Sequence, residues 1–258
     1  MGAAFSKAHA AEIAIAGTGS GAGTLRALAI GHAKAKPDIN ITVLPSMGSA
    51  GGIKALIAGR IAIAVSARRL TEAERQSGLA ELEIARTPLI IAVGDKNPVT
   101  RLTVHELASM YAGPNARWPD GTPVRPVLRP IEDSDTTVLK AIAPEVASAV
   151  NAALKRDGMM IASSDSDAAD ALERVPGAIG TTTLALVVSE NRKLKAVVLD
   201  GQVASTKGLA ENRYPYQKKL YLITKADAPQ EVTAFLHFIK SPGGRRILIN
   251  NGSLPSGS

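Results

Sequence analysis

The 258-residue chain contains no cysteine, which removes disulfides, thiolate metal sites and cysteine nucleophiles from consideration together. Aromatic residues make up only 3% of it, and no basic run is interleaved with them, so the pattern offers no stacking platforms for nucleic acid. No apolar run reaches the roughly 18 residues that a membrane-spanning helix requires. Histidine is scarce as well. His9 lies near the start, and His32, His105 and His237 fall in helix patterns, without metal-ligand spacing and without a nucleophile beside them. A serine nucleophile needs a base held by a third group, so these positions argue for binding rather than catalysis. The acidic run "SSDSDAAD" lacks the glycine and closing glutamate of a calcium loop and reads as a helix cap.

What is present is glycine at strand ends and an excess of positive charge. Hydrophobic residues are 45% of the chain and the formal net charge is +7, enough for a substantial core and suggestive of an anionic ligand. The stretch "IAIAGTGSGAGTLRAL", residues 13–28, runs an apolar strand through glycine, serine and threonine into a helix. Unpartnered N–H groups at such a junction favour anions. The nucleotide-hydrolysing version of this loop requires a lysine after its glycines, and none is there; Arg26 is the next base and sits inside the helix. The dinucleotide version requires an acidic residue ending the next strand, yet "INITVL" ends in Pro45 and Ser46.

Instead the idea is repeated. "SMGSAGGIKALIAG" from Ser46 carries the same Gly-Ser-x-x-Gly spacing as the first loop. A third strand from Ile61 ends at Ser66, Ala67 and Arg68 and leads to Thr71, with Glu74 three residues on as a capping box. Three successive strand ends of a parallel sheet lie along one edge, where ligands of open α/β folds bind. Downstream, "RTPLIIAVG" reads as a strand buried on both faces, and Thr103 and Glu106 cap a helix that ends at Gly113. Ser134, Asp135 and Thr136 are placed to cap a helix that Pro144 divides. "GAIGTTTLALV", "LKAVVLDG" and "KLYLITK" read as strands, and two helices, broken over residues 241–244, close the chain. Trp118, alone amid turn residues, is expected to fill a small loop core, and Lys140 to be a solvated helix lysine. Alternating strands and helices give an α/β architecture.

The order of these motifs, from "GTGSGAG" and "GSAGGIKALIAG" through "TPLIIAVGDKNPVTRLTVHEL", Arg129 with a Ser-x-Thr loop, "GAIG", "LDG", "YPYQKKLYLIT" and "FIKSPGGRRIL", resembles the phosphate-type solute-binding proteins of ABC importers over residues 13–255. The resemblance implies a type II periplasmic binding protein: two Rossmann-like α/β lobes joined by two crossing hinge strands, with the ligand in the cleft between them. Hinge crossings near residues 87–90 and 215–220 would divide the chain into a discontinuous first lobe, 11–88 with 218–258, and a second lobe, 89–217. Carried over motif by motif, the ligand-binding residues are Ser20, Gly21, Ser49, Ser66, Arg68, Arg129, Ser134, Asp135 and Thr136, with no catalytic residue, metal or cofactor.

The sequence departs from the family pattern at two points. Ala67 stands where many relatives have aspartate or serine, and the second-lobe loop has one residue more, with Asp135 in place of glycine. Two explanations follow: Asp135 accepts a hydrogen bond from a protonated ligand, or the cleft holds a larger phosphonate- or carboxylate-bearing metabolite or cofactor. The implied partner is a transporter permease, or a sensor protein if the fold serves signalling, and the protein is expected to be monomeric. Residues 1–10, with Ala8 and Ala10 in the A-x-A arrangement, read as the remnant of an export signal, which implies a periplasmic location.

Overall fold

The structure, a computed structural model, describes residues 11–257, so the expected export-signal remnant, residues 1–10, lies outside the described residues. The first half begins β1 (Ala11–Gly17), one 3-10 turn (Gly19–Gly21), α1 (Ala22–Ala33), β2 (Ile39–Val43), α2 (Gly48–Ile57), β3 (Ile63–Ser66) and α3 (Glu72–Gln76). A 16-residue strand, β4 (Leu79–Gly94), then crosses into the second half. There follow β5 (Arg101–Leu102), α4 (Val104–Ala112), β6 (Arg125–Leu128), α5 (Ser134–Lys140), α6 (Pro144–Leu154), β7 (Met160–Ile161), α7 (Asp165–Arg174), β8 (Ala178–Thr183), α8 (Leu184–Ser189), β9 (Leu194–Ala196), β10 (Val198–Leu199) and α9 (Thr206–Ala210). The chain returns through β11 (Gln217–Lys225) to α10 (Gln230–Lys240), α11 (Pro242–Asn250) and β12 (Leu254–Pro255).

The strands run β2-β1-β3-β11-β4-β8-β6-β7. The outer pairs β1–β2, β1–β3, β6–β7 and β6–β8 are parallel, while β4 is antiparallel to both β11 and β8. β4 changes partner at one place: Pro88 faces Gln217 of β11, and Leu89 faces Thr183 of β8. Side chains alternate across a strand, so Ile91 and Val93 of β4 enter one apolar cluster with Leu107, Tyr111 and Val150, and Ile90 and Ala92 enter another with Val127, Leu172 and Leu186. The first half has its own two clusters on opposite faces of its sheet, one around Ile15, Leu28 and Phe235 and one around Ile53, Leu56 and Ile223. Four clusters in two pairs are the two-lobed α/β arrangement anticipated from the motif order.

Local chemistry sets the helix starts. Thr71 with Glu74, Thr103 with Glu106, and Ser164 with Asp167 each form a reciprocal capping box, satisfying N–H groups that the first helical turn leaves free. Three details differ from expectation. Asp133, not Ser134, Asp135 or Thr136, caps α5, its side chain accepting from the Asp135 N–H. The strand expected through "LALV" stops at Thr183, whose hydroxyl caps α8 and turns the apolar run into a helix. "LKAVVLDG" splits, because β9 pairs with β4 whereas β10 pairs with β5. Trp118 is buried, its indole N–H donating to the Gly177 carbonyl at 3.0 Å, and Lys140 is half-buried at the end of α5. Among the described residues no helix is long and apolar enough to cross a membrane.

Candidate functional site

The strand-end loops of the first half meet the 129–138 segment of the second across a cavity of about 500 Å³. Thr18, Met47, Gly48, Ser49, Ala50, Ala67 and Arg68 line it on one side, and Arg129, Pro130, Glu132, Asp133, Ser134, Thr137, Val138 and Asp165 on the other. A larger depression of about 740 Å³ beside Asp95, Trp118 and Lys193 belongs to the second half alone. We place the site in the cleft, because one of its walls includes a buried cationic side chain with an unpartnered donor and the depression's does not.

That side chain is Arg129, directly after β6 and 4% exposed. Its Nη1 donates to the Ala162 carbonyl at 2.7 Å and its Nη2 to Asp133 Oδ2 at 2.7 Å, while its buried Nε has no partner. Asp133 divides its oxygens, since Oδ1 accepts the Asp135 N–H at 2.8 Å. Opposite, α2 starts at Met47 and Gly48 without any side-chain cap, so its first-turn N–H groups have no helical partner at the cavity wall. Gly48 makes that start possible at φ +71 with open space around it.

Arg68 also lines the cavity, but its guanidinium is already engaged. Its Nη1 and Nη2 each donate to Glu74 at 2.8 Å, and Nη1 also donates to the Arg69 carbonyl at 2.9 Å. The hydrogen bond from Arg68 is the main reason the Glu74 carboxyl is held down at about 2. Ser49 lines the cavity with its Oγ accepting the Ala67 N–H at 3.0 Å. Ser134 stands in the wall at the start of α5.

The remaining expected residues lie behind the wall. Ser20 shares a 3.0 Å hydrogen bond with the Thr18 hydroxyl, Gly21 packs beneath Leu220, and Ser66 donates to the Arg68 carbonyl at 2.6 Å. Thr136 donates to the Arg129 carbonyl at 3.1 Å, holding the turn that presents the guanidinium. Asp135 is 1% exposed and pairs with Lys218 rather than facing the cavity.

Lys218 and Asp165 escaped the sequence reading. Lys218, on β11 and 3% exposed, donates to Asp135 Oδ1 and to Asp165 Oδ1, the latter at 3.0 Å. Asp165 Oδ2 accepts from Thr18 Oγ1 and from the Gly19 N–H, both at 2.9 Å. Burial alone would raise the Asp165 carboxyl, but Lys218, Arg129 and the hydrogen bonds from Lys218 and Thr18 outweigh it and hold the group at about 2. Asp135 goes the other way: burial pushes it up, and the attraction of Lys218 offsets this only in part. Burial opposes the charge on Lys218, yet the two aspartates overcome it and raise the ammonium above its ordinary range. A signal was available for each. Lys218 is in phase with Leu220 and Leu222 along an alternating strand, and Asp165 is the acid in "SSDSD" that the Ser164–Asp167 capping box leaves unused.

A two-lobed α/β chain with uncapped and glycine-rich strand ends across a cleft from a buried arginine has the architecture of a bilobal solute-binding fold. The family comparison agrees: the model of the PBP superfamily domain matches residues 3–242, and the chain belongs to that superfamily. It is 24% identical over 217 residues to the phosphate-binding protein PstS of Borreliella burgdorferi, covering 81% of this chain and 77% of that one. Its fold is similar to that of a putative phosphate ABC transporter substrate-binding protein with bound phosphate from Clostridium perfringens, at 23% identity, TM-score 0.77, and 95% and 99% coverage of the two chains. It is also similar to the periplasmic molybdate-binding protein of Azotobacter vinelandii, at 15% identity, TM-score 0.64, and 94% and 98% coverage.

Proposed function

We propose that the chain is an extracytoplasmic solute-binding protein that captures a small oxyanion of the phosphate class between its lobes and hands it to the permease of an ABC importer. The observation that carries this reading is Arg129, buried at the cavity wall with Nε unpartnered, opposite the uncapped start of α2. A buried guanidinium demands counter-charge and planar acceptors. Asp133 supplies part of it, and an oxyanion seated against Nε and the α2 amides would complete the set with charge-assisted bonds. Ser49 on one side and Ser134 and Thr137 on the other add hydroxyls to the lining, beside Thr18, whose hydroxyl donates to Asp165. The lobes we assign, residues 11–88 with 218–258 and residues 89–217, would close on the ligand by bending where β4 changes partner, excluding water. The relatives, a phosphate-binding PstS and a phosphate ABC transporter substrate-binding protein, support the ligand class and the partner, and the periplasmic molybdate-binding relative supports the location.

Calorimetric titration of ligand-stripped protein with inorganic phosphate at pH 7 tests the reading. Saturable binding that Arg129→Ala weakens by about 2–5 kcal/mol is the expected outcome. Absence of phosphate binding to the intact protein overturns the phosphate class. A second reading, a larger phosphonate- or carboxylate-bearing metabolite, is favoured by the cavity volume of about 500 Å³ and by the apolar wall of Met47, Ala50, Pro130 and Val138, since pockets of about 300–1,000 Å³ hold drug-sized ligands. It predicts that a phosphonate with an organic substituent competes with or replaces phosphate in the same titration.

A further inference from the structure

The glycine loop after β1 has the donors of an anion seat, and in this structure the seat is filled by the protein. The Gly19 N–H and the Thr18 hydroxyl converge on one carboxylate oxygen, Asp165 Oδ2, at 2.9 Å each. Asp165 arrives from the opposite half, at the first position of α7, and its other oxygen is held by Lys218 at 3.0 Å. Thr18, Asp165 and Lys218 are each no more than 5% exposed. We propose that Asp165 is a built-in anion that occupies the seat of the first glycine loop and excludes ligand oxygens from it, making Asp165 a specificity-determining residue of the cleft. The inference rests on the reading of the cleft as an anion site.

Displacing this carboxylate is costly. A ligand oxygen that took the Gly19 N–H would leave Asp165 Oδ2 buried without that donor while Oδ1 stays on Lys218, and a buried charged acceptor left short of hydrogen bonds is unfavourable. An anion that instead approached without displacing it would meet a like charge at the wall, because Asp165 itself lines the cavity. Its carboxyl stays ionised at neutral pH, held at about 2. Lys218 pairs with Asp135 as well, so the ammonium is shared and keeps a partner if Asp165 is removed. The ligand is therefore left with Arg129, the α2 amides, Ser49, Ser134 and Thr137, and the first Gly-Ser loop serves to hold the lobes together at Asp165.

The test uses the full chain, wild type and Asp165→Ala, with acetate and inorganic phosphate as probes, read by calorimetry and by the backbone amide signals of Gly19 and Ala50. The expected result is that Asp165→Ala gains a saturable one-to-one acetate site, absent from wild type, that shifts Gly19, and that its phosphate affinity rises at least tenfold. In wild type, phosphate is expected to shift Ala50 and leave Gly19 in place. A folded Asp165→Ala protein whose Gly19 signal ignores acetate overturns the proposal, as does a wild-type Gly19 signal that moves with phosphate as far as that of Ala50. Should Asp165→Ala fail to fold, Asp165→Ser retains a hydrogen-bonding atom at the start of α7 and takes its place. If wild type takes no phosphate, the functional reading above fails, while the acetate arm still decides the role of Asp165.

Discussion

The two Gly-Ser loops carry the same spacing and end differently. The first, residues 17–23, is buried throughout; its Ser20 turns inward to Thr18, and its Gly19 N–H is taken by Asp165. The second, residues 46–52, opens on the cavity with α2 uncapped and Met47 exposed. Gly17 in the first loop sits at φ +145 so close to β3 that a Cβ would lie 2.0 Å from the Val65 carbonyl oxygen, whereas a Cβ on Gly48 would meet nothing within 4 Å. A strand-to-helix glycine loop thus specifies free N–H groups and nothing about their partner. The facing lobe decides that: it offers a carboxylate to one loop and an arginine to the other.

The largest effect that would sharpen this contrast is expected at Lys218. Lys218→Met leaves Asp135 and Asp165 buried without their shared cation and should cost about 3–5 kcal/mol in urea unfolding. Adding Asp135→Asn should recover part of that loss, because one of the stranded charges is gone. A loss no larger than that of a surface substitution would break the comparison at its first loop. Next come the glycines. Gly17→Ala forces a methyl into the Val65 backbone and should exceed the about 1–3 kcal/mol of ordinary overpacking, while Gly48→Ala should cost only the about 1–2 kcal/mol of a left-handed alanine. Equal losses in the two variants would show that the loops are not packed differently.

Acid supplies a third measurement. Asp165 is lowered from 3.8 to about 2, so its contribution is present above pH 3.8 and is lost as pH falls toward 2. Glu74, lowered from 4.5 to about 2, acts in the same direction from its pair with Arg68. Asp135 is raised by burial and opposes them, stabilising the fold as it takes up a proton. The net stability measured from pH 5 to pH 2 should fall, and Asp165→Asn should flatten that slope without abolishing it, because Glu74 remains. The smallest effect is expected at Ser49. Ser49→Ala leaves the Ala67 N–H without its acceptor and should cost about 1 kcal/mol in unfolding.

Much of this was legible in the sequence where local chemistry decides. The capping boxes at Thr71 and Thr103 and the doubly buried β4 follow from spacing and alternation, and the ordered motifs carry the two-lobed fold. Arg129 could be anticipated at the cleft, since it ends a strand on the ligand edge. Placement behind the wall was not legible for Asp135, because its partner Lys218 lies far along the chain, nor for Ser20, Ser66 and Thr136, whose hydroxyls turn to the nearby Thr18, Arg68 and Arg129 where the sequence pattern allows a ligand equally well. Thr183 failed for a different reason: its hydroxyl makes an ordinary local cap to the Leu186 N–H, but inside one apolar run the pattern does not mark where strand gives way to helix. The Asp165 contact spans 146 positions to Gly19, beyond the reach of any local pattern.

The position of β11 between β3 and β4 bears on how the chain is made. On the ribosome, β1, β2 and β3 emerge long before the strand that joins them to β4, which is synthesised only after the whole of the second half. The second half, continuous from β4 through β9, has its sheet partners in hand once residue 196 has left the exit tunnel. Domains generally fold as units during synthesis, the earliest made first, whereas here the later-made half is the one whose strand partners are all synthesised first. The amino-terminal half must wait with exposed edges on β3 and β4 for residues 217–225, and a chain that stalls before them leaves the later-made half as the first to complete its sheet.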